Sequence, residues 1–183
     1  MRIFLDTEFT ELNQNARLIS IGLAAENGDV FYAELIDAEK YTSSSWVKEH
    51  VVPLLSGSLP PAEMVETMSV VLCQGDEVQI SSALKKWFRQ FGGKNSVEIW
   101  ADVLAWDWIL FCELFGGAFN IPDQVFYIPF DLSTLMKIKG INPDADRESL
   151  GSISWNHPAL QLKRHHALYD ALLELEIFRN VNQ

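Results

Sequence analysis

The sequence predicts an α/β domain built on one mixed sheet of about five strands flanked by helices. Three observations carry this. Within residues 1–35, apolar runs alternate with polar turns, so the chain opens as a meander of three strands. Beyond residue 43, apolar side chains recur at helical spacing, and one or two more strand-like runs lie between those helices. At 183 residues and 48% hydrophobic content, the chain suits one domain, residues 1–183, with a substantial core.

Residues 3–5 (Ile-Phe-Leu) predict a buried strand, residues 18–26 a second and residues 30–35 a third. Asn27-Gly28 between the last two is a type I′ hairpin signal. Residues 43–55 predict a helix from the spacing of Trp46, Val47, His50, Val51, Leu54 and Leu55, with serines in place to cap it. Residues 56–62 read as a loop. Residues 76–91 predict a helix whose apolar set is Val78, Ile80, Leu84, Trp87, Phe88 and Phe91, closed by Gly92 and Gly93. A fourth strand follows over 97–101, then a helix over 106–115 beginning around Asp107. Residues 125–128 predict a fifth strand and 132–138 a short helix. Residues 141–158 are polar, with two prolines and a glycine, and read as a loop near the site. The last helix, 165–181, carries the stripe Leu168, Leu172, Leu175 and Phe178.

A net charge of −11 argues against a polybasic nucleic-acid coat or a membrane-surface protein. It leaves a nuclease open, because acids that hold cations lose their charge in the working enzyme. Cys73 and Cys112 are too few and too far apart for a disulfide framework or a zinc cluster, which fits a reducing, cytoplasmic setting. Met1 leads straight into a strand without a signal segment, and no stretch has the length of an apolar membrane span.

Asp6 and Glu8 close the first strand. Residues two apart on a strand share a face, so these carboxylates lie side by side and repel. At least one pKa rises unless a cation or donor sits between them, and Mg²⁺ prefers carboxylate oxygens and water. The same spacing recurs at Asp37/Glu39 and Asp146/Glu148, so it selects the first pair only if partners lie elsewhere. Asp107, between Trp106 and Trp108, opens a helix, where an acid also serves the helix N-terminus. Asp102, at the end of the preceding strand, is its rival. Asp170 lies near the start of the last helix, with the same helix-terminus alternative. His165 and His166 precede Asp170 by five and four residues. A helix running through both puts His166 on the face of Asp170, whereas a His165 lying before the helix is free to reach over the site. Pattern alone leans to His166.

Together, Phe-Leu-Asp6-Thr7-Glu8-Phe9-Thr10, then Trp106-Asp107-Trp108-Ile-Leu-Phe, then His165-His-Ala-Leu-Tyr-Asp170-Ala resemble the three motifs of the DEDDh (DnaQ-like) 3′-5′ exonucleases, which have the RNase H-like fold. The run Trp-Val-Lys-Glu-His-Val-Val-Pro and the doubled His-His-Ala are similar to the small bacterial and phage exoribonucleases of that superfamily, related to RNase T and oligoribonuclease. The resemblance implies that Asp6, Glu8, Asp107 and Asp170 hold two Mg²⁺ or Mn²⁺ ions, with Asp6 as the bridge. It implies that His165, rather than His166, takes the proton from an attacking water. The implied substrate is single-stranded or 3′-overhanging RNA, with single-stranded DNA as the alternative, and the implied product is a nucleoside 5′-monophosphate. A homodimer is a further expectation, since relatives often form one.

Thr10 and Leu12 match positions that contact the terminal ribose and wedge against the last base, and Phe9 is the alternative wedge. Thr7 and Trp106, inside the matched motifs, are taken as substrate-binding with them. Lys163 and Arg164 stand beside His165, where they can meet phosphates. Two residues depart from the pattern: Glu11 stands where glycine is frequent, and Tyr169 where a small residue is expected. The rivals are an RNase H-like endonuclease, a proofreading DNA exonuclease and an inactive RNA-binding module. A single His at the five-residue offset favours the exonuclease. The complete motif set and the acidic balance disfavour a module that binds without metal.

Overall fold

The computed structural model describes residues 1–66 and 68–182. Six strands, β1 (Arg2–Phe9), β2 (Leu18–Ala25), β3 (Val30–Leu35), β4 (Val70–Gly75), β5 (Glu98–Ala101) and β6 (Phe130–Asp131), form one sheet in the order β4-β3-β2-β1-β5-β6. The meander is real: β1, β2 and β3 pair antiparallel. β4 joins β3, β5 joins β1 and β6 joins β5, all in parallel. Five helices, α1 (Ser45–His50), α2 (Glu77–Phe88), α3 (Ala105–Leu114), α4 (Leu132–Ile138) and α5 (Ala167–Val181), complete the domain. Among the described residues no helix is long and apolar enough to cross a membrane.

β1 sits in the middle of the sheet, and its alternating residues feed two cores. Ile3 and Leu5 pack with Ile80, Leu84 and Trp87 of α2 and Leu110 and Phe111 of α3. Phe4 packs on the opposite face with Ala24, Tyr32 and the α5 residues Ala167, Leu168 and Ala171. By the strand period, Asp6 and Glu8 follow Phe4 toward α5, while Thr7 faces α3. Gly22 of β2 lies opposite Asp6. A Cβ there would stand 2.3 Å from the Ala167 carbonyl carbon and 2.4 Å from the Leu168 nitrogen. Only glycine lets the start of α5 settle against the sheet beside Asp6.

Several elements differ from the sequence expectation for identifiable reasons. β4 was not anticipated: it is a short edge strand ending in Cys-Gln-Gly, and it alternates buried and half-buried residues only once β3 is beside it. The expected strand over 125–128 reduces to one bridge between Val97 and Val125. Pro129, which has no N–H to offer a ladder, separates it from the short β6. The helix expected over 43–55 is capped by Ser44 and stops at His50, and the chain then tightens into a 3₁₀ turn over Val52–Leu54 around Pro53. α2 begins at Glu77, one residue after its N-cap Asp76, which forms a capping box with Gln79, and passes into a 3₁₀ turn at Arg89–Phe91. α3 starts at Ala105, two residues before Asp107, and α5 starts at Ala167 rather than His165. The β2–β3 turn is not type I′. Gly28 takes a φ of 95° without Asn27 doing so, and the Asn27 side chain instead accepts the Asp29 N–H at 3.1 Å.

Candidate active site

The C-terminal end of β1 meets the starts of α3 and α5, and the acids singled out from the sequence gather there. Asp107 is buried in the first turn of α3. One of its oxygens accepts both the Thr7 backbone N–H, at 2.9 Å, and the Thr7 hydroxyl, at 2.6 Å. Thr7 is itself 4% exposed. Its backbone N–H and hydroxyl are therefore occupied in holding Asp107 against β1. Asp170 accepts the His165 backbone N–H at 2.8 Å. Glu8, His165 and Asp170 each offer a ligand atom within 4.8 Å of the others. A bulge between Glu8 and Phe9 shifts the β1–β2 register at this rim.

The two histidines have separated. His166 is the N-cap of α5: its Nδ1 accepts the Leu168 N–H at 3.2 Å, and its ring stacks on Tyr32 at 4.4 Å. Burial pushes its pKa down to about 4. His165 lies before the helix at a φ of 69°. That left-handed backbone turns its ring over Glu8 and Asp170. Burial, then Arg164, then His50 lower its pKa below the ordinary imidazole value, so it is a neutral acceptor near neutral pH.

The acids are held in a way that costs energy. Burial, then Asp170 and Asp107, push Glu8 up to about 8. Burial also raises Asp170 to about 7 and Asp107 to about 6, against the hydrogen bonds each accepts. Asp6 is raised well above the ordinary carboxylate range by burial and then by the other acids, and its Oδ2 is enclosed without a hydrogen-bond partner. Carboxylates crowded in this way call for compensating positive charge. A hard divalent cation with oxygen ligands fits this donor set, and the unpartnered Asp6 oxygen is the most direct sign of it.

Asp102 is not a substitute for Asp107. Arg147 Nε approaches Asp102 at 2.5 Å and the Ser133 hydroxyl donates to it at 2.6 Å. Its backbone N–H donates to Glu174 at 2.9 Å. The next residue, Val103, is β-branched yet sits at a φ of 52°, a costly conformation that these neighbouring bonds maintain.

The remaining sequence candidates are spread around this centre. Leu12 is exposed and shares a cavity of about 420 Å³ with Glu8, Phe9, Trp46 and Val47. Phe9 also packs against Trp106, ring centres 6.3 Å apart. Thr10 is buried and acts as a loop staple: its hydroxyl accepts the Arg17 N–H and its carbonyl accepts the Thr42 hydroxyl. Arg164 is exposed, pairs with Asp146 at 3.9 Å, and lines a second cavity, about 170 Å³, with Asp6, His165 and Asp170. Tyr169 donates its hydroxyl to Glu148 at the rim of that cavity.

Four features went unread in the sequence. Gly22 admits α5, and an isolated glycine inside a strand pattern was its signal. Trp46 and His50 stack at 4.9 Å, and the edge of His165 meets Trp46 at 4.8 Å. These two had been assigned to a helix face, and nothing local revealed that α1 lies over the site. Glu174 is buried one helical turn after Asp170, a spacing visible in the sequence.

A central strand that presents two carboxylates between an acid on each of two helices, with a histidine above them, fits an exonuclease. The comparisons place it more narrowly. The chain belongs to the family of the 3′-5′ exoribonuclease Rv2179c-like domain, whose model matches residues 1–182. The 3′-5′ exoribonuclease Rv2179c of Mycobacterium tuberculosis strain H37Rv is 34% identical over 140 residues, covering 76% of each chain. The 3′-5′ exoribonuclease MT2234.1 of M. tuberculosis strain CDC 1551 matches to the same extent. Among solved structures, the Pan2 catalytic unit of Neurospora crassa, with its protease and nuclease domains, aligns at 13% identity and a TM-score of 0.43 over 99% of this chain and 27% of that one.

Proposed function

We infer that this protein removes nucleoside 5′-monophosphates one at a time from the 3′ end of single-stranded or 3′-overhanging RNA. The observation that carries the reading is the convergence of Asp6, Glu8, Asp107 and Asp170 beneath His165, in a chain that belongs to a family of 3′-5′ exoribonuclease domains. The four acids would hold two Mg²⁺ or Mn²⁺ ions. Bound there, such ions stabilise the charge on the attacking and leaving oxygens of an in-line displacement at phosphorus.

The protein's own groups supply the rest. His165 accepts the proton of the attacking water. Its neutral ring is suited to that step, and its backbone bond to Asp170 keeps it over the acids. The Thr7 bonds fix Asp107 relative to β1, so Asp107 moves with Asp6 and Glu8 as one unit. The apolar cavity beside Glu8 receives the terminal base between Leu12, Phe9 and Trp46, and an aromatic face accepts any of the four bases. Arg164 meets the phosphate that follows, with Lys163 next to it.

The test is a 3′-end degradation assay on 5′-labelled single-stranded RNA and its DNA counterpart, with Mg²⁺, Mn²⁺ or EDTA. A ladder that shortens from the 3′ end, requires a divalent cation and favours RNA is the expected result. Intact RNA under every cation, with the protein folded, would overturn the reading.

A further inference from the structure

Glu174 stands outside the motif set, yet it belongs to the acidic cavity. It lies four residues after Asp170 on α5, so the two share a helix face, and it lines the same cavity as Asp6, His165 and Asp170. Its side chain is 5% exposed. Oε1 accepts the Asp102 backbone N–H at 2.9 Å, whereas Oε2 is enclosed and has no hydrogen-bond partner. Among the described residues, the carboxylate oxygens in that state are Glu174 Oε2 and Asp6 Oδ2. The neighbours Leu173, Leu175 and Ile177 are buried aliphatics, and a side chain of that kind would fill the position without the cost of burying a charge. One N–H explains one oxygen. A buried acceptor left over at the edge of a cation site needs a second donor.

We propose that Glu174 supports the divalent-cation site through water: Oε1 pins the turn leading into α3, and Oε2 accepts a hydrogen bond from the hydration shell of a cation held by Asp6, Asp107 and Asp170. This rests on the cation reading given above. Mg²⁺ sites built on carboxylates keep several waters, and those waters donate outward. Groups that orient a metal site at this remove change its affinity by roughly 10- to 100-fold.

Glu174→Gln separates this role from a purely structural anchor. The Asp102 N–H requires an acceptor, so it holds the amide oxygen at the Oε1 place. The amide nitrogen then replaces Oε2, and it cannot accept. Mn²⁺ is titrated calorimetrically into EDTA-stripped wild type, Glu174→Gln and Glu148→Gln, the last removing the same charge from the exposed rim of the same cavity. The dissociation constant of Glu174→Gln is expected to rise roughly 10- to 100-fold, while its melting temperature in EDTA stays at or above that of the wild type. The rise for Glu148→Gln should be far smaller. Glu174→Met, similar in length and without acceptors, should show the same rise as Glu174→Gln. Unchanged Mn²⁺ affinity in both Glu174 variants, or a rise matched by Glu148→Gln, would overturn the proposal. A wild type that binds no Mn²⁺ would instead overturn the cation reading beneath it.

Discussion

On one side of His165 the protein packs carboxylates, and on the other it packs rings. The acidic side is a cavity of about 170 Å³ where Asp6, Asp170 and Glu174 converge, and where Asp6 Oδ2 and Glu174 Oε2 have no hydrogen-bond partner. The ring side is wider, about 420 Å³, and is walled by Phe9, Leu12, Trp46 and Val47. The first arrangement repels itself and is incomplete without added positive charge. The second needs nothing further: Trp46 already stacks on His50 and braces His165 from the edge. On the proposed function, chemistry that depends on an ion falls on one side and recognition of a base on the other, with Glu8 and His165 at the boundary.

Breaking the acidic side should have the largest effect. Asp6→Ala is expected to reduce RNA shortening to background. Because the variant loses a buried, repelled carboxylate, its melting temperature in EDTA should match or exceed the wild-type value, and added Mg²⁺ should no longer raise it. Loss of fold in EDTA would contradict this account of Asp6.

The boundary comes next. His165→Ala should lower kcat roughly 10²- to 10⁴-fold, the range for loss of a general base, with a small change in KM. His166→Ala should instead lower the melting temperature, because it removes the α5 cap and the ring stacked on Tyr32. Equal losses of kcat in the two variants would reverse the assignment of the base.

On the ring side, Trp46→Ala should raise KM about 5- to 150-fold, the equivalent of about 1–3 kcal/mol of base stacking. A fall in kcat alone would mean that Trp46 acts by bracing His165 and not by holding the base.

Acidity offers a milder test of the contrast. Asp107, Asp170 and Glu8 have folded pKa values raised to about 6, 7 and 8, above their ordinary values near 4. Between these limits the folded protein binds more protons than the unfolded chain, so stability is fully present at low pH and is lost as pH rises through the folded values. Melting curves in EDTA should therefore fall from pH 5 to pH 8, and Mg²⁺ should restore most stability at pH 8. A flat profile in EDTA would show that burial and the neighbouring acids do not raise these folded values.

The smallest effect belongs to the exposed rim. Arg164→Ala should weaken binding of single-stranded RNA and flatten its dependence on log salt concentration by about 0.7, the share of one phosphate contact.

Much of this was legible before folding. The apolar run of β1 with its two acids, the acid in the first turn of α3 and Asp170 in α5 are local patterns that lie on the elements they predict, whereas His165 falls ahead of α5 rather than in it. The misses have physical causes. β6 is only two residues long, β4 is an edge strand that alternates buried and half-buried residues only once β3 lies beside it, and the pairing partners of both lie 30 to 40 residues away. Asp102 competed with Asp107 because both flank one turn, and only the Thr7 and Arg147 bonds distinguish them.

The sequence by itself determined the α/β class and the buried first strand, because periodicity within a few residues encodes them; the set of acids came from the ordered motifs and their family resemblance, since Asp-x-Glu spacing recurs at Asp37/Glu39 and Asp146/Glu148. It left open which histidine overlies the acids. That was decided where α5 begins, by His166 capping the helix and His165 taking a left-handed backbone ahead of it. Tertiary structure alone placed Trp46 over His165, Gly22 beneath α5, and Glu174 against an N–H 72 residues away. These are contacts between elements remote in the chain, and no local spacing records which of them will meet.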